Sequence, residues 1–149
     1  MRGFTQKATK VVTLERGSES LEVTLHAIPA GFRSWLQAQF PYPQKFIKGA
    51  GQAGTWIKDE AAYAEWDDLF GLLLLAKAME PEALLEHQID WSARRNAAAW
   101  RREAEAVLEE LRGANLTQAN IMELLLGAFT AGSGDVEERG KSSARSGAG

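Results

Sequence analysis

The run Trp66–Met79 limits what this chain can fold into more than any other feature. Trp66, Leu69, Phe70 and Leu73 fall at i, i+3, i+4 and i+7, one face of a helix, and Leu72, Leu75 and Met79 form a second stripe roughly opposite. A helix that is apolar on most of its circumference is either central to a core or partly covered by a partner. The rest of the chain offers one hairpin and two other long helices, which are expected to leave it partly uncovered. Some of Leu72, Leu75 and Met79 are therefore expected on a partner-facing or self-association surface, where the adaptable Met side chain suits varied shapes.

Upstream, Leu21, Val23, Leu25 and Ala27 alternate with Glu22, Thr24 and His26, and Val12 and Leu14 alternate with Val11, Thr13 and Glu15. This period of two marks half-buried strands, and Arg16-Gly17-Ser18-Glu19-Ser20 supplies a short loop, so residues 10–28 read as a β-hairpin. Two strands alone are marginal in water; the hairpin must lie on the helices or pair with another chain. His26 falls on its polar face, a structural or solvated position. Phe32, Trp35, Leu36 and Phe40 predict a short helix stopped by Pro41 and Pro43. Residues 41–58 read as an ordered or semi-ordered loop, Pro-rich and then Gly-rich.

Asp59 and Glu60 suit the positive N-terminus of the Leu-rich helix, and Pro81 breaks it. A further helix is predicted from about Ser92 to Arg112, capped by Asp90 or Ser92. Its apolar face is Ala97, Trp100, Ala104, Val107, Leu108 and Leu111, with an outer Arg101–Glu105 pair and Gly113 in the left-handed position past its end. The last helix starts near Thr117 and carries Ile121, Leu124, Leu125 and Ala128, with Met122, Leu126 and Phe129 extending the stripe. From Gly132 the composition turns to Gly, Ser and mixed charge, too poor in apolar residues to fold. The expectation is a single α+β domain, mainly α, over residues 1–131: an N-terminal β-hairpin packed on a small bundle of about four helices. Residues 132–149 are expected to form a disordered tail.

Reactive side chains are scarce. There is no Cys, which leaves no disulfide or thiolate zinc site, and the two His residues, His26 and His87, have no His or Cys beside them. The carboxylate pairs Asp59-Glu60, Asp67-Asp68 and Glu109-Glu110 are adjacent on helices and do not face a common point. Gly49-Ala50-Gly51-Gln52-Ala53-Gly54 matches the dinucleotide-binding string, but a Pro-rich segment precedes it and no βαβ unit surrounds it, which favours a flexible loop. In the tail, five residues separate Gly134 from Gly140-Lys141-Ser142 where a phosphate-binding loop requires four. No catalytic, cofactor or metal site is expected. A net charge of -3 and pI near 5.5 give no footprint for nucleic acid, and the basic pairs Arg94-Arg95 and Arg101-Arg102 are followed by acidic residues from Glu103 onward. No apolar stretch approaches the roughly 20 residues needed to cross a bilayer, and no signal sequence follows Met1-Arg2, so a cytoplasmic protein is expected. Most of the Trp residues read as core anchors; Trp56 and Trp91, near loop–helix junctions, are the candidates for partner contact.

One resemblance joins these elements. The strand pair, the Phe40-Pro41-Tyr42-Pro43 segment, the apolar helix ending in Met79-Glu80-Pro81, then Trp100 and the Ala114-Asn115-Leu116-Thr117 turn resemble the tail assembly chaperones of long-tailed bacteriophages and prophages. The resemblance covers residues 8–131 and rests on element order and apolar placement; the Gly49–Gly54 segment departs from it. It implies a non-enzymatic role in virion assembly: binding the tape measure protein, a long and largely helical chain, and keeping it soluble in the host cell cytoplasm until tail tube subunits polymerise around it. The tail tube protein is then a second candidate partner, and self-association a further expectation. Many such phages make a longer form by ribosomal frameshifting, for which the polar tail would be a sensible junction. The alternatives are a structural head–tail joining or minor tail subunit of the virion and, further off, a nucleotide-binding enzyme using the Gly49–Gly54 loop.

Overall fold

The computed structural model describes residues 9–49 and 53–131. Strands β1 (Thr9–Arg16) and β2 (Glu19–His26) form an antiparallel hairpin in which Val12 faces Val23 and Leu14 faces Leu21. Both alternating patterns thus put their apolar residues on one face, and Leu14, Val23 and Leu25 are buried. The connection is tighter than the five-residue loop expected: Arg16 pairs with Glu19, leaving Gly17 and Ser18 as a two-residue turn with Gly17 at φ 61°. Glycine at the first central position matches the right-handed twist of the strands.

Helix α1 (Phe32–Gln39) starts after Gly31, whose φ of 84° excludes most other residues, and ends at Phe40 ahead of Pro41. The next segment corrects the expectation for residues 41–58, which are not merely a loop. Strands β3 (Gln44–Ile47) and β4 (Thr55–Lys58) pair as a second antiparallel hairpin with Phe46 opposite Trp56. The prolines end α1 but lie outside the ladder, so they do not oppose a strand that begins at Gln44. The Asp59 amide donates to the Pro43 carbonyl at 3.0 Å and closes the base of the hairpin.

Helix α2 (Glu60–Met79) begins at Asp59, whose side chain accepts from the Ala62 amide, and is buried on every side from Leu69 to Ala76. A short 3-10 turn (Glu80–Glu82) follows, with Pro81 in its first turn. Helix α3 (Ala97–Gly113) starts later than predicted. Asp90 accepts from both the amide and the hydroxyl of Ser92, at 3.1 and 2.6 Å, forming a local turn that competes with a helix start there. Asn96 is the cap, accepting from the Ala99 amide at 2.8 Å. At the other end the left-handed residue is Asn115, φ 64°, not Gly113. The Leu116 amide reaches the Leu111 carbonyl and the Asn115 amide the Arg112 carbonyl, a Schellman closure that Asn accommodates. Arg101 pairs with Glu65 of α2 rather than with Glu105.

The last helix, α4 (residues 118–131), is opened by a reciprocal cap. The Asn120 amide donates to the Thr117 hydroxyl at 3.1 Å, and the Thr117 amide to the Asn120 side chain at 3.0 Å. Asn120 is buried and also donates to the Glu15 carbonyl, tying α4 to β1. Lys10 Nζ to the Thr130 hydroxyl, 2.9 Å, ties the other end. The first hairpin therefore lies on the helices, and the whole is an α+β fold dominated by helix. The expected polar tail lies outside the described residues.

Why the Leu69–Ala76 stretch of α2 is enclosed follows from the packing. Beyond the first hairpin, α3 and α4, the helix meets Phe40, whose carbonyl accepts from Trp66 Nε1 at 3.1 Å. The connection 83–96 covers its second half, with Leu85, Ile89 and Trp91 around Ala76. That connection has no regular structure but is pinned: both oxygens of Glu110 accept amides, from Glu86 at 2.8 Å and His87 at 2.7 Å, and the His87 ring meets Glu103 at 2.6 Å. His26 likewise meets Glu82 at 2.7 Å, a structural role.

Candidate functional site

Burial separates the candidates that the sequence singled out. Leu72, Leu75 and Met79 are core residues, with Leu75 wholly inaccessible, so none of the three forms a partner-facing stripe. Leu72 lines the seam where Leu108, Ile121 and Leu125 come together, between α3 and α4. The expectation failed because it counted helices and hairpins only; the irregular connection and the aromatic residues after α1 supply the remaining cover. Trp91 is half-buried. Its ring stacks on Trp100 with centroids 6.0 Å apart and meets Phe32 edge-on at 5.1 Å, while Lys77 Nζ lies 5.7 Å from its centroid. It belongs to an aromatic cluster that holds the 83–96 connection to α1 and α3. Trp56 alone among the named candidates is a surface residue, 63% exposed.

Trp56 is part of the first of two apolar surfaces. Every residue of β3 and β4 is exposed. Phe46 and Trp56 sit side by side on one face with ring centroids 5.4 Å apart, and Ile47 and Ile57 occupy the other. Gly54 lets the Phe46 ring fold over the backbone, where a Cβ would come within 2.0 Å of it. The hairpin thus projects two apolar faces and two unpaired edges, with Lys45, Lys48 and Lys58 among them and no acidic residue from 41 to 58. Two β-prone pairs, Phe46-Ile47 and Trp56-Ile57, flanking a Gly-rich connection were the sequence signal for this hairpin. The dinucleotide-like string falls in its connection, between antiparallel strands rather than between a strand and a helix, though residues 50–52 lie outside the described part.

The second surface is on α4. Ile121, Leu124, Leu125 and Ala128 face the core as expected. Met122, Leu126 and Phe129 do not extend that buried stripe: they form a separate outer seam, with Leu126 65% and Met122 51% exposed. Beside the seam runs an open trough of about 170 Å³, between α4 and the Asp67-Asp68-Gly71 turn of α2. Gly71 leaves this wall of the trough bare; a Cβ there would lie in ordinary contact with Leu125, at 3.4 Å. Arg33 lies over the Phe129 ring at 4.8 Å, at one end of the seam.

Ionisable groups are spread along helix faces and turns, and among the described residues no three His, Asp or Glu side chains converge on a metal-sized site. Asp90 has its carboxyl held below the ordinary value, first by the Ser92 hydroxyl and then by the Ser92 amide, with Arg95 adding a smaller pull. It is exposed, and its role is to shape the turn before α3. No helix among the described residues is long and apolar enough to cross a membrane. Comparison with family models, characterised proteins and solved structures finds no match to this chain.

Proposed function

We propose that this chain is a protein-binding module without catalytic machinery, acting as a phage-type tail assembly chaperone in the host cytoplasm. Its client is the tape measure protein, held soluble until the tail tube polymerises. The observation that carries this reading is the outer seam of α4. Met122, Leu126 and Phe129 recur at i, i+4 and i+7, the spacing with which one helix presents itself to another. A seam of this kind shields the apolar face of an extended helical client, and its Met and Leu side chains repack against varied sequences along that client. Exposed apolar surface set beside polar residues is the mark of an interaction site.

The test is co-expression with a tape measure polypeptide. The client is expected in the soluble fraction with the wild type and in the pellet with Leu126→Glu, while circular dichroism shows the variant folded. A client that is equally soluble with the variant removes the seam from the site. Recovery of this protein in purified particles at fixed copy number would replace the chaperone reading with that of a structural subunit.

A further inference from the structure

The β3–β4 hairpin is apolar on both of its faces. Its register puts Phe46 and Trp56 on one face with Gln44 and Lys58, and Ile47, Ile57 and Thr55 on the other with Lys45. Every one of these side chains is exposed. A flat protein surface or a nucleic-acid strand covers one face of such a ribbon and leaves the other in water. Two strands alone are marginal in water, so the hairpin calls for a cover that surrounds it.

Charge narrows the choice of cover. Residues 41–58 hold three lysines and no acid, in a chain whose net charge is -3. Lys45 and Lys48 form no ion pair among the described residues. The nearest acids, Asp59 and Glu60, stand behind the base: Asp59 caps α2 and Glu60 lies 3.9 Å from Lys58. Order along the ribbon adds a third constraint. Gln44 and Lys58 form the base next to Pro43 and α2, followed outward by Lys45 with Ile57, Phe46 with Trp56 and Ile47 with Thr55. Aromatic and aliphatic side chains thus gather away from the body of the protein, and cations sit nearer to it. Four strand residues span about 10 Å, against the roughly 5–10 Å to which interfacial segments sink into a bilayer. Lys48, just past Ile47, has a stem long enough to bring its ammonium back to the phosphates.

We propose that the β3–β4 hairpin is a peripheral anchor that inserts into the headgroup layer of an anionic lipid bilayer. Phe46, Trp56, Ile47 and Ile57 reach the acyl boundary, the level at which Trp side chains settle, and Lys45 and Lys48 meet the phosphates. A bilayer interface surrounds the ribbon, so it covers both apolar faces and meets lysines on either side at once. The hairpin is held at its base by the Asp59–Pro43 hydrogen bond and by Lys58 Nζ, 3.4 Å above the Tyr63 ring, which fix it projecting from the N-terminus of α2. One short hairpin buries little area, so the attachment is weak and reversible.

Co-sedimentation of the full chain with vesicles of phosphatidylglycerol and phosphatidylcholine in equal parts, at low salt, reads the attachment directly. The wild type is expected in the pellet, leaving it as salt shortens the reach of the charges, and far less of it on phosphatidylcholine alone. Lys45→Gln with Lys48→Gln keeps the strand ladder and should weaken partitioning by about fivefold for each lysine. Trp56→Ser should weaken it by about tenfold or more, and Ile57→Ser, on the opposite face, should weaken it as well. Brominated lipid should quench part of the tryptophan emission of the wild type and not that part in Trp56→Ser. Every changed side chain is exposed, and circular dichroism verifies the fold of each variant. No pelleting with anionic vesicles, or equal pelleting with neutral ones, overturns the proposal. So does a lysine variant that binds like the wild type. A loss confined to Trp56→Ser, or oligothymidylate bound where vesicles are not, also overturns it, since either would mean a partner lying on the aromatic face alone. The assay contains no client, so its outcome is separate from that of the chaperone reading.

Discussion

Trp100 shows how much a single side chain can hold. It is 1% exposed, stacks on Trp91, meets Trp35 edge-on at 6.1 Å, and carries Arg95 over its face at 4.8 Å. Its indole Nε1 is buried without a partner among the described residues, an unmade hydrogen bond that costs stability. Trp100→Ala should cost on the order of 3–5 kcal/mol in denaturant unfolding. Trp100→Phe should cost much less, because it keeps an aromatic ring in the cluster and removes the unsatisfied donor. Equal losses for the two variants would show that the indole itself is required. Asp90 offers a second measurement. Ser92→Ala removes the hydroxyl that does most to hold the Asp90 carboxyl down, so its titration midpoint, followed by NMR, should rise toward 3.8. Because the folded-state pKa is the depressed one, the contribution of Asp90 to stability is present above its unfolded value and lost as pH falls. The variant should therefore lose less stability than the wild type on acidification through that range.

At the scale of elements, the contact between α4 and the first hairpin depends on Gly127. A Cβ at this position would come within 2.6 Å of Val12 and 2.9 Å of Leu25, so the helix can lie this close to the strands only because the side chain is absent. Gly127→Ala gains up to about 1 kcal/mol in helix propensity but overpacks the contact by about 1–3 kcal/mol. The net expectation is a loss of about 1 kcal/mol, read as a lowered thermal midpoint; a raised midpoint would show that the hairpin shifts freely. The start of α3 makes a related point about legibility. Asp90, Ser92 and Asn96 are all good caps by residue type, and periodicity alone favours the first two. The choice fell to Asn96 because Asp90 and Ser92 hydrogen-bond each other, and that pairing depends on where the 83–96 connection is pinned by Glu110 and Glu103. The second hairpin was hidden for a similar reason: four-residue strands carry too short a pattern to stand out from a Pro- and Gly-rich loop.

For the molecule as a whole, α2 and α4 pose the same problem with opposite answers. Each carries two apolar stripes. On α2 both are buried, because the helix is central and its neighbours surround it; on α4 one is exposed, because the helix lies at the edge. Leu75→Asn should therefore unfold the protein, by cavity and desolvation costs of several kcal/mol, whereas Leu126→Asn should leave the circular dichroism spectrum and thermal midpoint nearly unchanged. A folded Leu75→Asn variant would put the α2 stripe back at the surface. Periodicity and capping in the sequence were enough to determine the α+β class, the first hairpin and its inward face, the Asp59 start of α2, and Trp100, Ala104, Val107 and Leu111 as core positions of α3, whereas Ala97 of the expected face is exposed. These depend on contacts between near neighbours or on the side of one element that must leave water. Which of two equivalent stripes is covered, and which tryptophan stays outside, was decided only by the tertiary structure. Burial is a property of what packs against a residue, and for Leu72, Met79, Trp91 and Leu126 the packing partners are set by the path of the whole chain.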